Sequence, residues 1–365
     1  MAERILGIDS GKFAVKCAEY KMQQENAQTR AFSFRTKIGE GDFRDDALET
    51  QTCIAEIDGK TYKIGDGARG REAELTTTKK SEIHRITTLV AAAAFCSTNT
   101  EDTMHIAIGL PTAEWANVSK REDYREFMFP KGKIKIEYKA SAASDPVEKV
   151  FSIGRNFVYP ESIGALFASD SPLMTGENTE DYPYIGVIDI GNLNVNAVVW
   201  QGINVQEEES ITDELGGYNM IYGLSSLLST KYSRCNPMIT ANILTQPPEA
   251  RALPSDDEAI RNSSHKLIEE YLYDYAKKIK QLCDGKRWST DYMQLVAIGG
   301  TSQILAPYLK MAFGNKLTVL NNPQYCNAMG FLKMAAAKID DSIIIPDPVF
   351  ASKTREVVNL ETAVK

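Results

Sequence analysis

Two stretches of the sequence decide the fold: ILGIDSGKFAV at residues 5–15 and IGVIDIGNLNV at residues 185–195. In each stretch an apolar strand enters a turn that begins with aspartate and contains glycine, and a second apolar strand follows. At the offset of 180 residues, five residues of the first stretch recur in the second, namely Ile5, Ile8, Asp9, Gly11 and Val15. The sequence therefore predicts two equivalent β-hairpins and a duplicated architecture.

Each hairpin is followed by another apolar strand that ends in a glycine turn. In the first half, residues 105–108 lead into Gly109, and in the second half residues 295–298 lead into Gly299 and Gly300. These turns come 100 and 110 residues after the aspartates of their hairpins. Because order and spacing repeat together, we predict an α/β fold of two domains, each with a smaller inserted subdomain.

The predicted domain borders follow from this repeat and from the polar insertions. The predicted segments, with borders placed to within several residues, are a first domain at 1–182 with an insertion at about 31–100, completed by a C-terminal helix at about 324–340; a second domain at 183–323 with an insertion at about 230–285; and a tail at 341–365. The part of this tail after Pro346 is polar enough to fray. The first insertion contains Asp58-Gly59, a favoured hairpin turn, between residues 57 and 64. In the second, apolar residues at helical spacing predict a long helix over residues 256–283.

Composition and charge narrow the classes of function. The chain has 365 residues, 41 of them basic and 49 acidic, which gives a net charge of −8. Direct nucleic-acid binding is therefore not expected. The longest apolar run, residues 89–96, is far shorter than the roughly 20 residues of a membrane span, and the apolar stretch near the N-terminus is too short for a signal peptide. We expect a cytoplasmic protein with no membrane partner, and the scattered cysteines predict neither a disulfide framework nor a zinc site.

The repeated hairpin turn suits the binding of phosphate. Glycine lets backbone N–H groups approach phosphate oxygens, while a carboxylate at the strand end can hold Mg²⁺ through its water shell. Lys16 is placed to neutralise the β- and γ-phosphates of a nucleotide. A single Asp-x-Gly turn is usually an ordinary hairpin turn, so the repetition at Asp9 and Asp189 is what favours a phosphate clamp.

Three further segments have both a structural and a functional interpretation. Pro160-Glu161 is typical of a helix start, where Glu161 either compensates the helix dipole or orients a water molecule for attack on phosphate. Gly216-Gly217 and Gly299-Gly300 are either tight turns into helices or places where the backbone passes close to a nucleotide. The residues alone leave these alternatives open.

Taken in this order, the hairpins, the Pro-Glu segment and the Gly-Gly turn resemble the actin and heat-shock chaperone ATPase superfamily. The segments YPESI at 159–163, VAIGGT at 296–301 and NPQY at 322–325 resemble bacterial plasmid-segregation actins of the ParM type. The resemblance implies ATP or GTP, with Mg²⁺, in a cleft between the two domains. It implies catalytic roles for Glu161 and Asp189, with Asp9 and Asp189 holding Mg²⁺ through water. The nucleotide-binding residues that it implies are Asp9, Ser10, Gly11, Lys12, Lys16, Gly191, Asn192, Asn194, Gly216, Gly217, Gly299, Gly300 and Thr301.

The resemblance also implies a filament function. Such proteins polymerise head to tail, hydrolyse the nucleotide after polymerisation, and are attached to plasmid DNA by a small DNA-binding adaptor, so plasmid or prophage segregation is expected. One departure is that Asn192-Leu193-Asn194 stands where the family has threonines, so amides replace hydroxyls near phosphate and the hydrolysis rate is expected to change. Two alternatives remain: a metabolite or sugar kinase of the same fold, and a scaffold that does not hydrolyse nucleotide.

Overall fold

The chain packs into two units in the computed structural model, which describes residues 2–350 apart from 23–27, 42–51, 74, 75, 77, 99, 142, 143, 178–181, 234 and 315. Unit 1 consists of Met1–Phe167 and Asn327–Lys365, and unit 2 consists of Ala168–Cys326. This division falls after Phe167, whereas the domain border predicted from the sequence falls after residue 182. The predicted border is placed where the repeated sequence pattern begins again, whereas the units are defined by which residues pack together. The predicted domain borders therefore stay a prediction.

Each half of the chain contains both strands and helices, as expected for an α/β protein. The strands are β1 (Glu3–Ser10), β2 (Ala14–Lys21), β3 (Thr29–Arg35), β4 (Lys37–Glu40), β5 (Thr52–Ile57), β6 (Lys60–Gly65), β7 (Arg71–Glu72), β8 (Glu101–Leu110), β9 (Lys133–Lys139), β10 (Val147–Pro160), β11 (Tyr184–Ile190), β12 (Val195–Gln201), β13 (Asn204–Asp213), β14 (Met293–Ile298), β15 (Leu317–Val319) and β16 (Val349–Phe350). The α-helices are α1 (Glu82–Phe95), α2 (Thr112–Trp115), α3 (Val118–Met128), α4 (Pro172–Thr175), α5 (Gly217–Tyr232), α6 (Pro237–Leu244), α7 (Glu258–Gly285), α8 (Gly300–Phe313) and α9 (Cys326–Ile339). Short 3₁₀ helices lie at Ile163–Phe167, Pro248–Ala250 and Pro323–Tyr325.

Unit 1 is built on one mixed sheet with the strand order β16-β3-β2-β1-β8-β10-β9-β5-β6-β4-β7. Strand β1 lies inside this sheet and is buried on both faces, as its continuous apolar run requires. At Gly7 helix α9 packs directly on β1, because a Cβ atom there would lie 2.0 Å from the carbonyl oxygen of Ala328. The apolar face of α1 packs into the same core, so the end of β1 is held by its neighbours.

Unit 2 is built on a second sheet with the order β13-β12-β11-β14-β15. Helices α5, α7 and α8 share a core with this sheet through residues such as Met220, Leu272 and Leu305. The predicted long helix is confirmed as α7, which begins after Asp257, whose side chain accepts a hydrogen bond from the N–H of Ala259. No helix among the described residues is both long and apolar enough to cross a membrane.

The two sheets repeat one topology. In unit 1, β1 pairs antiparallel with β2 and parallel with β8; in unit 2, β11 pairs antiparallel with β12 and parallel with β14. The registers also correspond, since Asp9 stands opposite Lys16 and Asp189 stands opposite Asn196. The predicted duplicated α/β fold is therefore confirmed.

The insertion in unit 1 contains the predicted hairpin. Strands β5 and β6 pair antiparallel with Ile57 opposite Lys60, and the turn residues Asp58 and Gly59 have φ of 53° and 76°. Positive φ at both central residues is the geometry of a type I′ turn, which explains the Asp-Gly sequence. The insertion continues the sheet of unit 1, because β5 pairs with β9.

The beginning of the predicted tail is ordered against unit 1. The carbonyl of Pro346 accepts a hydrogen bond from the hydroxyl of Thr29, and β16 pairs parallel with β3. The sequence-based expectation that the chain frays after Pro346 is wrong for residues up to 350, because the edge of β3 offers free backbone partners. Residues 351–365 lie outside the described part of the chain.

Candidate functional site

The first hairpin loop is tightly constructed. Gly11 has no room for a side chain, because a Cβ atom there would lie 2.7 Å from the carbonyl oxygen of Ala14 and 2.9 Å from Nζ of Lys16. The hydroxyl of Thr36, which lies between β3 and β4, donates a hydrogen bond of 2.6 Å to the carbonyl of Gly11 and so holds the loop in place. Ser10 is fully buried, and its Oγ has no hydrogen-bond partner among the described residues. A buried hydroxyl without a partner is costly, which indicates that a ligand or water completes this loop.

Asp9 lies at the centre of a buried cluster of charges. Its carboxylate faces two ammonium groups, with Lys16 Nζ 3.3 Å from Oδ2 and Lys79 Nζ 3.6 Å from Oδ1. Lys79 also forms a short ion pair with the carboxylate of Glu161. The side chains of Lys79, Asp9 and Glu161 are only 6%, 10% and 12% exposed. The structure thus brings together Asp9, Lys16 and Glu161, which the sequence singled out, around a lysine that it did not.

The charges of the cluster control its protonation. Burial acts to raise the pKa of the Asp9 carboxyl, but the ammonium groups of Lys16 and Lys79 outweigh it, and the pKa lies below its ordinary value. Burial acts to lower the pKa of the Lys79 ammonium, but Glu161 and Asp9 outweigh it and the pKa is raised. At neutral pH Asp9 is therefore an anion and Lys79 a cation.

The lysines at this site also act on a neighbouring histidine. His84, in the first turn of α1, is fully buried, and its Nδ1 lies 2.8 Å from Oγ of Ser81. Burial, together with the positive charges of Lys79 and Lys12, lowers the pKa of His84 to about 3, so its imidazole is neutral. Lys12 itself is partly exposed and forms no ion pair with any residue in the described ranges. Lys12 is thus available to an anion at the hairpin loop.

Glu161 reaches the cluster from a strand and not from a helix. The predicted helix start at Pro160 is wrong, because β10 continues to Pro160, which pairs with Leu110 at the end of β8. A strand end tolerates proline, since no further ladder hydrogen bond from its nitrogen is needed. Glu161 occupies a turn, and its backbone N–H donates to the carbonyl of Leu110. A 3₁₀ helix begins only at Ile163 and has no acidic residue in its first turn, so Glu161 lies outside it and the dipole-compensation interpretation is not supported.

The backbone after Glu161 is strained and locked in place. Ser162 is a buried residue with φ of 69°, a left-handed conformation uncommon for residues other than glycine. Its N–H donates a hydrogen bond of 3.0 Å to Oδ1 of Asn327 in α9. Non-glycine residues in this conformation cluster at functional sites, where the surrounding structure holds them. Helix α9 thus fixes the position from which Glu161 enters the cluster.

In unit 2, three separate segments converge on the second hairpin loop. The carbonyl of Gly191 accepts hydrogen bonds from the N–H of Gly217 and from the hydroxyl of Thr301, at 3.0 and 2.9 Å. The N–H of Gly216 donates to the carbonyl of Leu193, and the N–H of Tyr218 donates to the carbonyl of Asn192. The turn at 191–194, the start of α5 and the start of α8 are therefore one connected structure.

Crowding around Asp189 explains the glycine at the end of β14. Gly299 has φ of 89°, and a Cβ atom there would lie 2.4 Å from the carbonyl oxygen of Ile190 and 2.6 Å from Oδ1 of Asp189. By contrast, Gly300 has room for a side chain, with its nearest neighbour, Cβ of Gln324, at 3.9 Å. Gly299 is therefore required by packing, whereas Gly300 is not.

Asn192 and Asn194 differ in their hydrogen bonding. Asn192 has a buried Nδ2 with no partner among the described residues, so it has a donor to offer to a ligand. Asn194 accepts a hydrogen bond from the N–H of Gly191 through its backbone carbonyl, which closes the turn. The structure thus brings the predicted residues of unit 2 together around Asp189 and the turn that follows it.

Lys79 is the site residue that sequence reasoning missed. It lies in a Thr- and Lys-rich segment immediately before α1, and the adjacent Lys80 is an ordinary surface residue paired with Asp123. The two lysines carry no motif that distinguishes them, and only the fold reveals that one is buried and the other exposed.

The comparisons with known proteins agree with this architecture. Residues 7–164 match the family described as the N-terminal domain of actin-like proteins. A search of curated protein sequences finds no match. Among solved structures, the chain is similar to an Alp12 filament, with 23% identity over 92% of this chain and 99% of that chain and a TM-score of 0.68.

Two further solved structures are similar over the same share of both chains. An archaeal actin homolog in complex with ADP is 16% identical over 92% of this chain and 99% of that chain, with a TM-score of 0.67. The 15-stranded ParM filament from Clostridium botulinum is 17% identical over the same shares, with a TM-score of 0.67. The resemblance predicted from the sequence is thereby confirmed. Residues 7–164 thus match the N-terminal domain of actin-like proteins, and the chain as a whole has the fold of solved actin homologs.

Proposed function

We propose that this protein is a nucleotide-dependent filament-forming NTPase, in which ATP or GTP binding drives polymerisation and hydrolysis follows. The single observation that carries the proposal is the buried cluster of Asp9, Lys16, Lys79 and Glu161 at the end of β1. Ionisable groups whose pKa values are shifted by burial and by specific charged partners are concentrated at functional sites, and in this cluster two carboxylates face two lysines, of which Lys79 is 6% and Lys16 22% exposed. Similarity to Alp12 and ParM filament structures supports the polymerising part of the proposal.

The residues present fit Mg²⁺ together with a nucleotide. Asp9 and Asp189 offer carboxylate oxygens, the hard ligands that Mg²⁺ prefers. Within the described part of the chain no group of three or more His, Cys, Asp or Glu side chains could hold a metal ion by itself. Water and phosphate oxygens would therefore complete the coordination, which is the usual arrangement for Mg²⁺. The unpartnered Oγ of Ser10 is a further polar atom that such a ligand would satisfy.

Each part of the site has a role in the proposed reaction. In unit 1, Lys12, Lys16 and N–H groups of the Gly11 loop are assigned to phosphate oxygens, and in unit 2 N–H groups of the Gly191 loop are assigned to phosphate as well. Mg²⁺, when bound, stabilises the charge on the β- and γ-phosphate oxygens. Glu161 accepts a hydrogen bond from the attacking water and orients it toward the terminal phosphate.

The remaining predicted residues are assigned to the nucleoside part of the nucleotide or to the second loop. We assign to the nucleoside the two glycine turns and the residue that follows the second of them: Gly216, Gly217, Gly299, Gly300 and Thr301. The hydroxyl of Thr301 already donates to Gly191, so its contribution is to hold the turn. Asn192 offers its free amide to phosphate, and Asn194 closes the loop through its backbone.

The biological use that we propose is the segregation of plasmid or prophage DNA through a small DNA-binding adaptor. Its support is the sequence resemblance to plasmid-segregation actins together with the acidic net charge, which disfavours direct contact with DNA. The self-association that we propose is head to tail, because a heterologous contact that does not close into a ring propagates into an open filament.

Light scattering tests the proposal. The purified chain should scatter more light after addition of ATP or GTP with Mg²⁺, and the signal should fall as phosphate is released. Chelation of Mg²⁺ is the control and should prevent the rise. A chain that stays monomeric with every nucleotide would contradict filament formation, and hydrolysis that requires a small hydroxylated acceptor would favour a kinase instead.

A further inference from the structure

Lys79 occupies an unusual position for a lysine. Its ammonium lies between the carboxylates of Asp9 and Glu161, and its side chain is 6% exposed. Lysine is almost never fully buried unless it is paired, and here the same ammonium pairs with both carboxylates to which the proposed reaction assigns roles. An ammonium at this place satisfies Glu161 and competes for the oxygens of Asp9.

This pairing occupies the carboxylate of Glu161 in the structure without nucleotide. A carboxylate in a short ion pair with an ammonium has less electron density to offer a water molecule, so it is a poor group for orienting an attack. The cluster is neutral as a whole, with Asp9 and Glu161 balanced by Lys16 and Lys79. A terminal phosphate brings additional negative charge, and in a site of low dielectric this charge attracts the ammonium strongly.

We propose that Lys79 detects the terminal phosphate of the bound nucleotide. With no terminal phosphate, Lys79 stays paired with Glu161; with a triphosphate, its ammonium turns to the terminal phosphate and releases the Glu161 carboxylate to orient water. Lys79 is thus a positioning residue for Glu161 and a direct contact of the triphosphate. The inference rests on the proposed nucleotide-binding function.

The location of Lys79 in the chain suits such a rearrangement. Lys79 precedes α1, and the N–H of Ser81 donates to its carbonyl in a local turn. A lysine side chain has four methylene groups and compact charge, so its ammonium can exchange partners while the backbone stays in place. Asp9 retains a partner after the exchange, because Lys16 Nζ lies 3.3 Å from its other oxygen.

The test compares triphosphate and diphosphate affinity in two lysine variants. Binding of a non-hydrolysable triphosphate and of the diphosphate, both with Mg²⁺, is measured by calorimetry for the wild type, Lys79→Met and Lys80→Met. Loss of a charge-assisted hydrogen bond predicts that Lys79→Met lowers the preference for triphosphate over diphosphate about ten-fold or more. Lys80→Met removes the neighbouring exposed charge, paired with Asp123, and should keep the wild-type ratio.

A double variant controls for the loss of stability that Lys79→Met can cause. Lys79→Met leaves Glu161 without a partner, whereas Lys79→Met with Glu161→Gln removes one positive and one negative charge. The double variant should also lose the triphosphate preference, while Glu161→Gln alone keeps the Lys79 ammonium, removes its competing partner and should maintain or increase the preference. Lys79→Arg should restore part of the preference, because guanidinium binds phosphate as well.

The outcomes separate this inference from the function on which it rests. A wild type that binds no nucleotide overturns both. A wild type that binds nucleotide, with an unchanged affinity ratio in Lys79→Met or in the double variant, overturns the role of Lys79 and leaves the proposed function standing. If the ratio of triphosphate to diphosphate affinity falls equally in Lys80→Met, the effect comes from the net charge of the region, and the role of Lys79 is overturned as well.

Discussion

Replacement of Lys79 by methionine should strongly destabilise the chain when no nucleotide is bound. The substitution keeps the length of the side chain but removes the ammonium between Asp9 and Glu161, whose side chains are only 10% and 12% exposed. Removal of one partner from a buried ion pair costs ~3–5 kcal/mol, because the remaining charge stays buried without compensation. Lys16 still compensates Asp9, so most of the cost falls on Glu161. We expect a clear decrease in the urea concentration at the midpoint of unfolding, measured by intrinsic fluorescence.

The control variants make this reasoning testable. Lys80→Met breaks an exposed ion pair with Asp123 and should change the free energy of unfolding by no more than ~1 kcal/mol. Adding Glu161→Gln to Lys79→Met should recover part of the lost stability, since the uncompensated carboxylate is then gone. Equal midpoints for Lys79→Met and Lys80→Met, or no recovery in the double variant, would refute the buried cluster as an energetic unit.

Three further predictions address the two hairpin loops and the reaction. Gly299→Ala and Gly314→Ala both force alanine into a positive φ, which costs ~1–3 kcal/mol of stability. Only at Gly299 does the new Cβ atom also meet a carbonyl oxygen at 2.4 Å, which costs a further ~1–3 kcal/mol. Equal decreases in the melting temperature of the two variants would contradict crowding at Gly299. The pKa of Asp9 in the folded chain lies below its ordinary value of 3.8. The ionised carboxylate therefore stabilises the folded chain above pH 3.8, and this contribution is lost as the pH falls from 3.8 through the folded-state pKa. Unfolding midpoints of wild type and Asp9→Asn should therefore converge in acid, and a constant difference would argue against it. Glu161→Gln should slow phosphate release by a factor of ~10²–10⁴ and prolong filaments while nucleotide binding persists; an unaltered rate would remove Glu161 from the reaction.

The duplicated fold could be predicted because its signals are local and repeated. Apolar alternation on either side of an Asp-x-Gly turn defines each hairpin, and Asp9 and Asp189 occupy corresponding registers in the two sheets. Asp58-Gly59 likewise determined its turn, since few other residue pairs accept positive φ at both positions. Such features depend on neighbours in the sequence and need no knowledge of distant contacts.

The parts that could not be predicted depend on distant packing. Pro160 has a conformation that suits both a helix start and a strand end, and the pairing of β10 with β8 decided between them. The left-handed Ser162 is held by Asn327, which lies far along the chain. Lys79 is distinguished from Lys80 only by the carboxylates that the fold brings to it. Local sequence patterns carry no record of such partners.

Calorimetric titration of the chain with Mg²⁺ and ATP or GTP tests the central claim most directly, because polymerisation, hydrolysis and the role of Lys79 all depend on nucleotide binding. We predict saturable binding of one nucleotide per chain, weakened by Asp9→Ala and by Asp189→Ala alike. Absence of binding to the wild type, or full affinity in either aspartate variant, would contradict the account.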